Sequence, residues 1–410
     1  MKAGNFWKHG DKLLFVLALA VLVTALFSQS WGKTIREAVA PSMVFVQWWQ
    51  DDNEKKALGK LIQEFENLHT GIKVVLKTMP YEDVRSELFD PGETPPGDIF
   101  ALDPLWVPEL IKKGTIENSA QETGAPLLSF IDVLYYNVEI LKKAGFTHPP
   151  KTRSEFLTYV RALTPKQENS SSPAPDKIRA IAMDLNGSRG IYDDVYPWIW
   201  SAGTQLIKDG KPVINSRPVI ESLSFLASLN SEGFIASNPS SGGGGNKLDD
   251  FIAGRAAFMI APVKDIKPVK ERMGDGAFGI SSIPIPDNYT GNSFYGSAGW
   301  TAGVYSASTH KEEANLFTAF LAEKAPLLSE VTNAIPANDA PAAAADPLYS
   351  KAWDIAIAGE SINDFSGLSG ENNLEAIFRE ELSALFAGKS TADYTAAAIQ
   401  KRWEQSLNLP

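Results

Sequence analysis

The chain has 410 residues, of which 44% are apolar and 21% charged, with a formal net charge of −11, four histidines and no cysteine. This length is typical of two domains or lobes. The acidic balance excludes a surface for nucleic acid, because phosphate binding needs clustered lysine and arginine. The absence of cysteine excludes disulfides, thiolate nucleophiles and cysteine-linked lipid anchors, and with so few histidines we expect neither a metal site nor a cofactor.

The amino terminus has the pattern of an export signal. Lysines at positions 2, 8 and 12 precede the apolar run LLFVLALAVLVTALF, residues 13–27, and a basic segment before about 15 apolar residues is typical of a secretory leader. As a helix, this run extends for ~22 Å, short of a bilayer core of ~30 Å. We therefore expect residues 1–30 to be a signal peptide or an uncleaved anchor, and the protein to be exported to the periplasm or the extracytoplasmic membrane face.

The segment after the leader predicts a strand, a helix and a second strand. VFVQWW, residues 44–49, has the composition of a buried strand. The helix that follows has apolar residues at helical spacing and ends near Gly71; Asp51, Asp52 or Asn53 can cap its start. IKVVLKTM, residues 72–79, is the next strand, and this β-α-β order predicts a parallel pair with a right-handed crossover.

Strands and helices continue to alternate along the chain, which predicts an α/β protein. Loops rich in proline, serine or glycine occupy residues 165–177 and 240–245. Further strands are predicted at 95–102, 129–137 and 178–185, and further helices at 107–114, 138–145, 152–163, 312–324, 373–388 and 391–407.

Six stretches, in this order, resemble one protein family. They are LIQEFENLHTGIKVVL (61–76), PPGDIFALDPLWVPELIKKGTI (95–116), VLYYNVEILKKAGFTHPPKTRSEF (133–156), YPWIWSAGTQLIKDGKPVINS (196–216), FIAGRAAFMI (251–260), and SIPIPD (282–287) followed by GSAGWTAGVYSASTHKEEANLFTAFL (296–321). Together they make the chain similar to the extracellular solute-binding proteins of bacterial ABC importers, in the branch that contains maltose-binding protein. Arg153 departs from the family pattern, which usually has tryptophan there, and Thr204 stands where a second glycine is usual.

The resemblance implies an α/β, two-lobe periplasmic-binding-protein fold of type II, with the ligand in the cleft between the lobes and closure about a hinge. It implies lobe I at residues 42–131 plus 293–338, and lobe II at 132–292 plus 339–410. It also implies capture of a small carbohydrate, without chemistry on it, and delivery to the membrane subunits of an ABC permease. We expect a monomer that does not bind nucleic acid.

Aromatic rings and carboxylates follow the first predicted strands. Trp48 and Trp49 lie on opposite faces of a strand, so we expect at most one to face the cleft, where its ring would stack on the apolar face of a sugar; the alternative is that both pack in the core. Asp51 and Asp52 either accept hydrogen bonds from sugar hydroxyl groups or only cap the helix. Asp103 follows a buried strand, and the carboxyl ends of strands border the crevice of an α/β sheet.

Later candidates depend more on the resemblance. Trp106 is a second stacking ring or only a surface residue of its lobe, and Asp132, near the first crossing between lobes, is a hydroxyl acceptor. Tyr192 and Asp193 precede YPWIW, in the region that supplies cleft residues in the maltose-binding branch. Trp200 and the tryptophan two residues before it cannot share a helix face, so one of them reaches the cleft, and we select Trp200.

Two candidates come from the last third of the chain. Trp300 lies in GSAGWTAG, a predicted glycine-rich loop whose backbone can approach a ligand closely; otherwise it is incidental to a mobile loop. Asn373 occupies the place of another ligand loop of the family.

Other functions stay open. The same fold could bind glycerol phosphate, a polyamine or iron, or serve as an anchored ligand sensor. A carbohydrate-active enzyme could use paired carboxylates. The sequence has no nucleophile, metal or phosphate-loop motif, so we expect no enzymatic activity.

Overall fold

The computed structural model describes residues 42–92, 97–117, 125–164, 178–185, 190–235, 247–292, 294–336, 346–362, 364–365 and 371–409. The leader at residues 1–30 and the two loops predicted at 165–177 and 240–245 lie outside these ranges. Within the described ranges, none of the helices combines the length and the apolar character needed to cross a membrane.

Three strands and three helices open the chain. They are β1 (Ser42–Gln47), α1 (Asp52–Leu68), β2 (Lys73–Thr78), α2 (Tyr81–Phe89), β3 (Ile99–Leu102) and α3 (Val107–Lys113). β1 pairs in parallel with β2 on one side and with β3 on the other, which confirms the predicted β-α-β opening. Asp51 caps α1 by accepting hydrogen bonds from the backbone N–H groups of Asn53 and Glu54.

The middle of the chain alternates short helices with strands. The elements are β4 (Ala125–Asn137), α4 (Val138–Lys143), α5 (Arg153–Leu163), β5 (Arg179–Ala182), α6 (Gly190–Asp194), α7 (Tyr196–Trp200), β6 (Ile207–Lys208), β7 (Lys211–Pro212), α8 (Arg217–Ser231), α9 (Lys247–Ile252), β8 (Ala256–Pro262), a 3₁₀ turn (Val263–Asp265), α10 (Ile266–Met273) and β9 (Phe278–Ser281). α5 begins where it was predicted to begin, with the Thr152 hydroxyl accepting from the backbone N–H of Glu155.

The last part of the chain is mostly helical. It contains β10 (Phe294–Val304), α11 (Lys311–Glu323), α12 (Ala325–Thr332), β11 (Ile335–Pro336), α13 (Pro347–Ala358), β12 (Glu360–Ile362), α14 (Glu371–Phe386) and α15 (Ala392–Ser406). The three late helices predicted from their apolar spacing are confirmed as α11, α14 and α15. α12 and α13 lie in segments where the sequence predicted no helix.

Two long strands, β4 and β10, pass from one lobe into the other. They pair in antiparallel fashion as far as the Ile131–Ser297 pair. From Asp132 onward β4 pairs with β8 instead, and up to Gly296 β10 pairs with β12. The strand order β2-β1-β3-β10-β4-β8-β5 therefore runs through both lobes. The expected α/β architecture with two lobes is confirmed.

The apolar cores lie on either side of this crossing. In lobe I, the lobe that contains β1, the faces of the sheet are covered by α1 and α11 on one side and by α2 and α3 on the other. In lobe II, a large cluster forms around the fully buried rings of Trp198, Trp200, Phe258 and Trp403. Burial of such large rings is a main source of stability in each lobe.

Arg153, where the sequence departs from the family pattern, is buried in lobe II. Its guanidinium donates hydrogen bonds to the Trp198 carbonyl and to the Ser222 hydroxyl (3.0 Å), and it lies 5.3 Å from the centroid of the Phe225 ring. Burial lowers the pKa of Arg153 to about 10, so the side chain stays charged at neutral pH. Arginine at this position therefore ties α5 to α7 and α8 through hydrogen bonds.

Replacing Arg153 by alanine should lower the free energy of unfolding by about 2–4 kcal/mol, because the change opens a cavity and leaves the Trp198 carbonyl without this donor. The matched control is Arg161→Ala on the same helix. Arg161 pairs with Glu232 at 3.2 Å in an exposed position, and its removal should cost less than about 1 kcal/mol. Urea unfolding measures both variants, and equal losses would contradict a structural role for Arg153.

Candidate functional site

A cavity of about 810 Å³ lies between the two lobes, and both lobes contribute to its wall. Pockets concentrate at such interfaces on general grounds. The wall includes seven of the side chains predicted from the sequence: Trp48, Trp49, Asp103, Trp106, Asp132, Tyr192 and Asp193. The other five predicted residues lie off the described wall: Asp51, Asp52, Trp200, Trp300 and Asn373.

Three aromatic rings of lobe I pack against one another at the cavity and form what we call the aromatic trio: Trp48, Tyr81 and Trp106. The centroid of Tyr81 lies 5.3 Å from that of Trp48 and 4.7 Å from that of Trp106, and the two tryptophans are 5.6 Å apart. The rings follow the carboxyl ends of β1, β2 and β3. Because β1 pairs in parallel with both other strands, these ends meet at one edge of the sheet.

The carboxylate of Asp103 lies beside the aromatic trio and is hydrogen-bonded to one of its members. It accepts hydrogen bonds from the Tyr81 hydroxyl (2.9 Å) and from the backbone N–H of Leu105 (2.9 Å). Only 5% of Asp103 is exposed. The carboxylate therefore fixes the Tyr81 ring and places negative charge beside an apolar surface.

Trp49 occupies another part of the wall. Its ring stacks on Trp300, with centroids 4.0 Å apart and planes at 25°. Gln47 holds the backbone here, because its side chain accepts from the Trp49 N–H and donates to the Trp49 carbonyl (3.2 Å) and to Thr78 (2.7 Å). β1 ends at Gln47, so the strand alternation that should separate Trp48 from Trp49 no longer applies. Both contribute to the wall, which corrects the expectation that at most one would.

Trp300 is fully buried and lies in strand β10, so the prediction of a glycine-rich loop is wrong. The glycines serve close packing between elements. At Gly299, a Cβ atom would lie 2.6 Å from the Leu128 carbonyl oxygen and 3.0 Å from the Pro104 ring. The Trp300 ring supports Trp49 from behind and is not part of the cavity wall.

Asp51 and Asp52 do not line the cavity. Asp51 is the helix cap described above, and Asp52 is paired with Lys55 at 2.9 Å, which lowers its pKa. The first turn of α1 instead brings Glu54 to the wall. Burial raises the pKa of Glu54, and Lys264 of lobe II opposes that rise from across the cavity.

Lobe II brings Lys247 to the cavity wall, and the carboxylate with which it pairs, Asp194, is buried and is not part of the wall. The Lys247 ammonium lies 3.0 Å from Asp194, and the same carboxylate accepts from the backbone N–H of Asp184 (2.8 Å). Burial raises the pKa of Asp194 to about 6, against the opposing effect of Lys247. Burial lowers the pKa of Lys247, but Asp194 and Asp193 outweigh it, so the net shift is upward.

Trp200 lies behind the wall. It is fully buried, and its indole N–H donates to the carboxylate of Asp364 (2.7 Å), which also accepts from the backbone N–H groups of Leu206 (2.9 Å) and Ile207 (3.3 Å). Asn373 is exposed and donates to the Ser406 hydroxyl (2.8 Å), whereas Glu375 lies on the cavity wall.

Several residues of the wall were not predicted from the sequence. Tyr81 had a usable signal, because it begins the helix directly after β2, at the same edge of the sheet as Trp48. Lys247 and Asp265 had none, because only the packing of α9 and the turn after β8 brings them to the cavity. Across the residues that the structure describes, no three side chains of histidine, cysteine, aspartate or glutamate come together as a metal site.

Comparison with known proteins identifies the family. A match to the family described as "Bacterial extracellular solute-binding protein" covers residues 51–326. The chain belongs to this family. This confirms the resemblance seen in the sequence and agrees with a two-lobe fold that encloses a cavity.

Individual relatives are distant. A "Probable ABC transporter-binding protein" of Deinococcus radiodurans is 25% identical over 216 residues, which are 50% of this chain and 48% of that protein. The chain thus spans about half the length of the curated relatives that it matches. The sugar-binding protein MalE of Xanthomonas citri has a TM-score of 0.74 at 17% identity, covering 90% of this chain and 97% of that one. Lmo0181 of Listeria monocytogenes, solved with cycloalternan, has a TM-score of 0.70 at 16% identity, covering 90% of this chain and 99% of that one.

The raised pKa of Asp364 predicts that the stability of the fold depends on pH. Burial raises its pKa to about 6 from 3.8, so folding favours the protonated form. The stability from this protonation is complete below the unfolded pKa and is lost as the pH rises through about 6, with at most ~3 kcal/mol involved.

Asp364→Asn keeps an oxygen acceptor for Trp200 and removes the titration. The free energy of unfolding of the original chain minus that of the variant should therefore decrease as the pH is raised from about 4 to about 7. Urea unfolding at both pH values measures this difference. A constant difference would contradict the assignment.

Proposed function

We propose that this chain captures a carbohydrate between its two lobes and delivers it, chemically unchanged, to the membrane subunits of an ABC importer. The observation that carries the proposal is the aromatic trio beside Asp103 in the cavity between the lobes. A sugar ring has an apolar C–H face and a rim of hydroxyl groups. Aromatic rings suit the face and carboxylates suit the rim.

The size of the cavity supports a ligand of more than one sugar ring. Its volume of about 810 Å³ lies in the upper part of the ~300–1,000 Å³ range of ligand pockets. The wall offers polar groups of both lobes around this volume, including Asp132 on the bridging strand and Asp193 and Lys247 in lobe II. A ligand that contacts both lobes would favour their closure about the bridging strands.

Transport is supported by the comparisons. The family is named for extracellular solute binding, and the Deinococcus relative is named for an ABC transporter. The Xanthomonas and Listeria proteins are described as sugar-binding and as a complex with cycloalternan. We infer by analogy an exported monomer that performs no catalysis and binds no nucleic acid. We also propose lobe boundaries at residues 42–131 plus 293–338 and 132–292 plus 339–410. The change of partner of β4 at Asp132 supports the boundary after residue 131, and β10 changes partner after Gly296, close to the boundary before residue 293.

A polyamine is the second candidate, favoured by the charge of the wall. Among the described residues of the wall, carboxylates outnumber cations eight to three. Aromatic rings also attract cations through their π faces. The carboxylates are Glu54, Glu82, Asp103, Asp132, Asp184, Asp193, Asp265 and Glu375, and the cations are Arg85, Lys247 and Lys264.

A thermal-shift panel distinguishes these candidates. The panel contains glucose, maltose, maltotriose, cycloalternan, glycerol 3-phosphate and spermidine. A ligand at 100 times its Kd stabilises the folded state by about 2.7 kcal/mol, and we expect this from at least one of the oligosaccharides, recovered intact afterwards. Stabilisation by spermidine or by glycerol 3-phosphate alone would reject the carbohydrate, and cleavage of an oligosaccharide would reject the non-catalytic role.

Trp48→Ala should weaken binding of the stabilising sugar at least tenfold, about 1.4 kcal/mol, because it removes a stacking face of the aromatic trio. The matched control is Trp353→Ala, since Trp353 is a partly buried tryptophan of α13 that packs in lobe II and is not part of the wall. Titration calorimetry measures both Kd values. Equal losses, or no loss in the Trp48 variant, would place the sugar elsewhere.

A further inference from the structure

Gly296 marks the point at which β10 passes between the lobes. Residues up to Gly296 pair with β12, and residues from Ser297 onward pair with β4. β4 makes the corresponding change next to Ile131, the partner of Ser297. A rotation of one lobe against the other must therefore bend β10 near Gly296, because the pairing on each side is fixed.

Two aromatic rings pack directly on this point of the strand. A Cβ atom at Gly296 would lie 2.8 Å from Cη2 of Trp200 and 3.1 Å from Cε1 of Tyr192, so the rings occupy the space of a side chain. The two rings also meet each other edge to face, with centroids 5.1 Å apart. Glycine is required here because any larger residue would displace one of them.

The position of the Trp200 ring is fixed from its other side. Its N–H donates to Asp364, which follows β12 by two residues. β12 is itself the partner of β10 up to Gly296. The ring is thus held between the end of β12 and the hinge point of β10.

Tyr192 connects this arrangement to the cavity, because it lines the wall and touches both Trp200 and the hinge point. We propose that Trp200 is a positioning residue that couples the cavity to the hinge: a ligand that contacts Tyr192 acts through Trp200 on the bend of β10 at Gly296. This rests on the proposed function only in that the ligand occupies this cavity. The sequence assigned Trp200 to ligand contact; its place behind Tyr192 gives it this different role.

The absence of cysteine allows the test to use the full chain with two specific labels. Lys60→Cys on α1 and Glu271→Cys on α10 are exposed positions in opposite lobes. Single-molecule energy transfer between dyes at these sites gives the distribution of distances between the lobes without any ligand. The outcome therefore does not depend on which compound the protein binds.

Trp200→Phe keeps a ring and removes the bond to Asp364. It should change the ratio of the populations with different distances between the lobes by about fivefold or more. Gly296→Ala should change it too, by displacing the ring. The matched control is Trp198→Phe on the same helix. Trp198 is equally buried, and its indole nitrogen has no hydrogen-bond partner among the described residues, so this variant should leave the ratio unchanged.

A second measurement repeats the experiment with saturating maltotriose. If maltotriose shifts the distances in the original chain, the shift should shrink in Trp200→Phe and persist in Trp198→Phe. Unchanged ratios in the ligand-free Trp200→Phe variant would overturn the coupling, whatever maltotriose does. A failure of maltotriose to bind, with the ligand-free ratios altered as expected, would bear on the proposed function alone.

Discussion

The two strands that run through both lobes are the constraint on which the rest of the structure depends. β4 and β10 are interior strands, so their backbone groups must be paired along their whole length. Each exchanges one partner for another where the lobes meet, next to Asp132 and Gly296. The lobes are therefore joined by continuous hydrogen-bonded backbone that can bend but not separate. The same two strands bring Asp132 and Gly299 to the cavity wall, so they provide both the hinge and part of the candidate site.

Much of the fold could be predicted because its signals are local. Apolar residues at helical spacing, a capping aspartate and a glycine stop define α1, and the β-α-β order fixes the parallel pairing around β1. The same logic located Asp103, because the end of a buried strand lies at the edge where parallel strands meet. Trp106 follows from the same turn. These residues reach the cavity through chain order and sheet geometry, which can be read from sequence.

The remaining errors come from contacts between distant parts of the chain. Trp300 has glycines around it that suggest a loop, yet they serve to bring β10 close to its neighbours. Trp200 is of a residue type that often stacks on sugars, but Tyr192 covers it, and its indole N–H is hydrogen-bonded to Asp364, which lies 164 residues further on. Lys247 reaches the wall only because Asp194 and α9 are packed together. No local pattern encodes these pairings, because the partners are joined by tertiary packing alone.

The aromatic trio and Asp103 are the basis for assigning a carbohydrate to the cavity, and a single structure with a bound ligand can test that assignment. The most direct measurement is a crystal structure of the protein with a bound oligosaccharide. We predict a sugar ring in van der Waals contact with Trp48, Tyr81 or Trp106, hydroxyl groups that face the surrounding carboxylates, and contacts of the ligand with both lobes. A sugar bound outside this cavity, or a polyamine in its place, would contradict it.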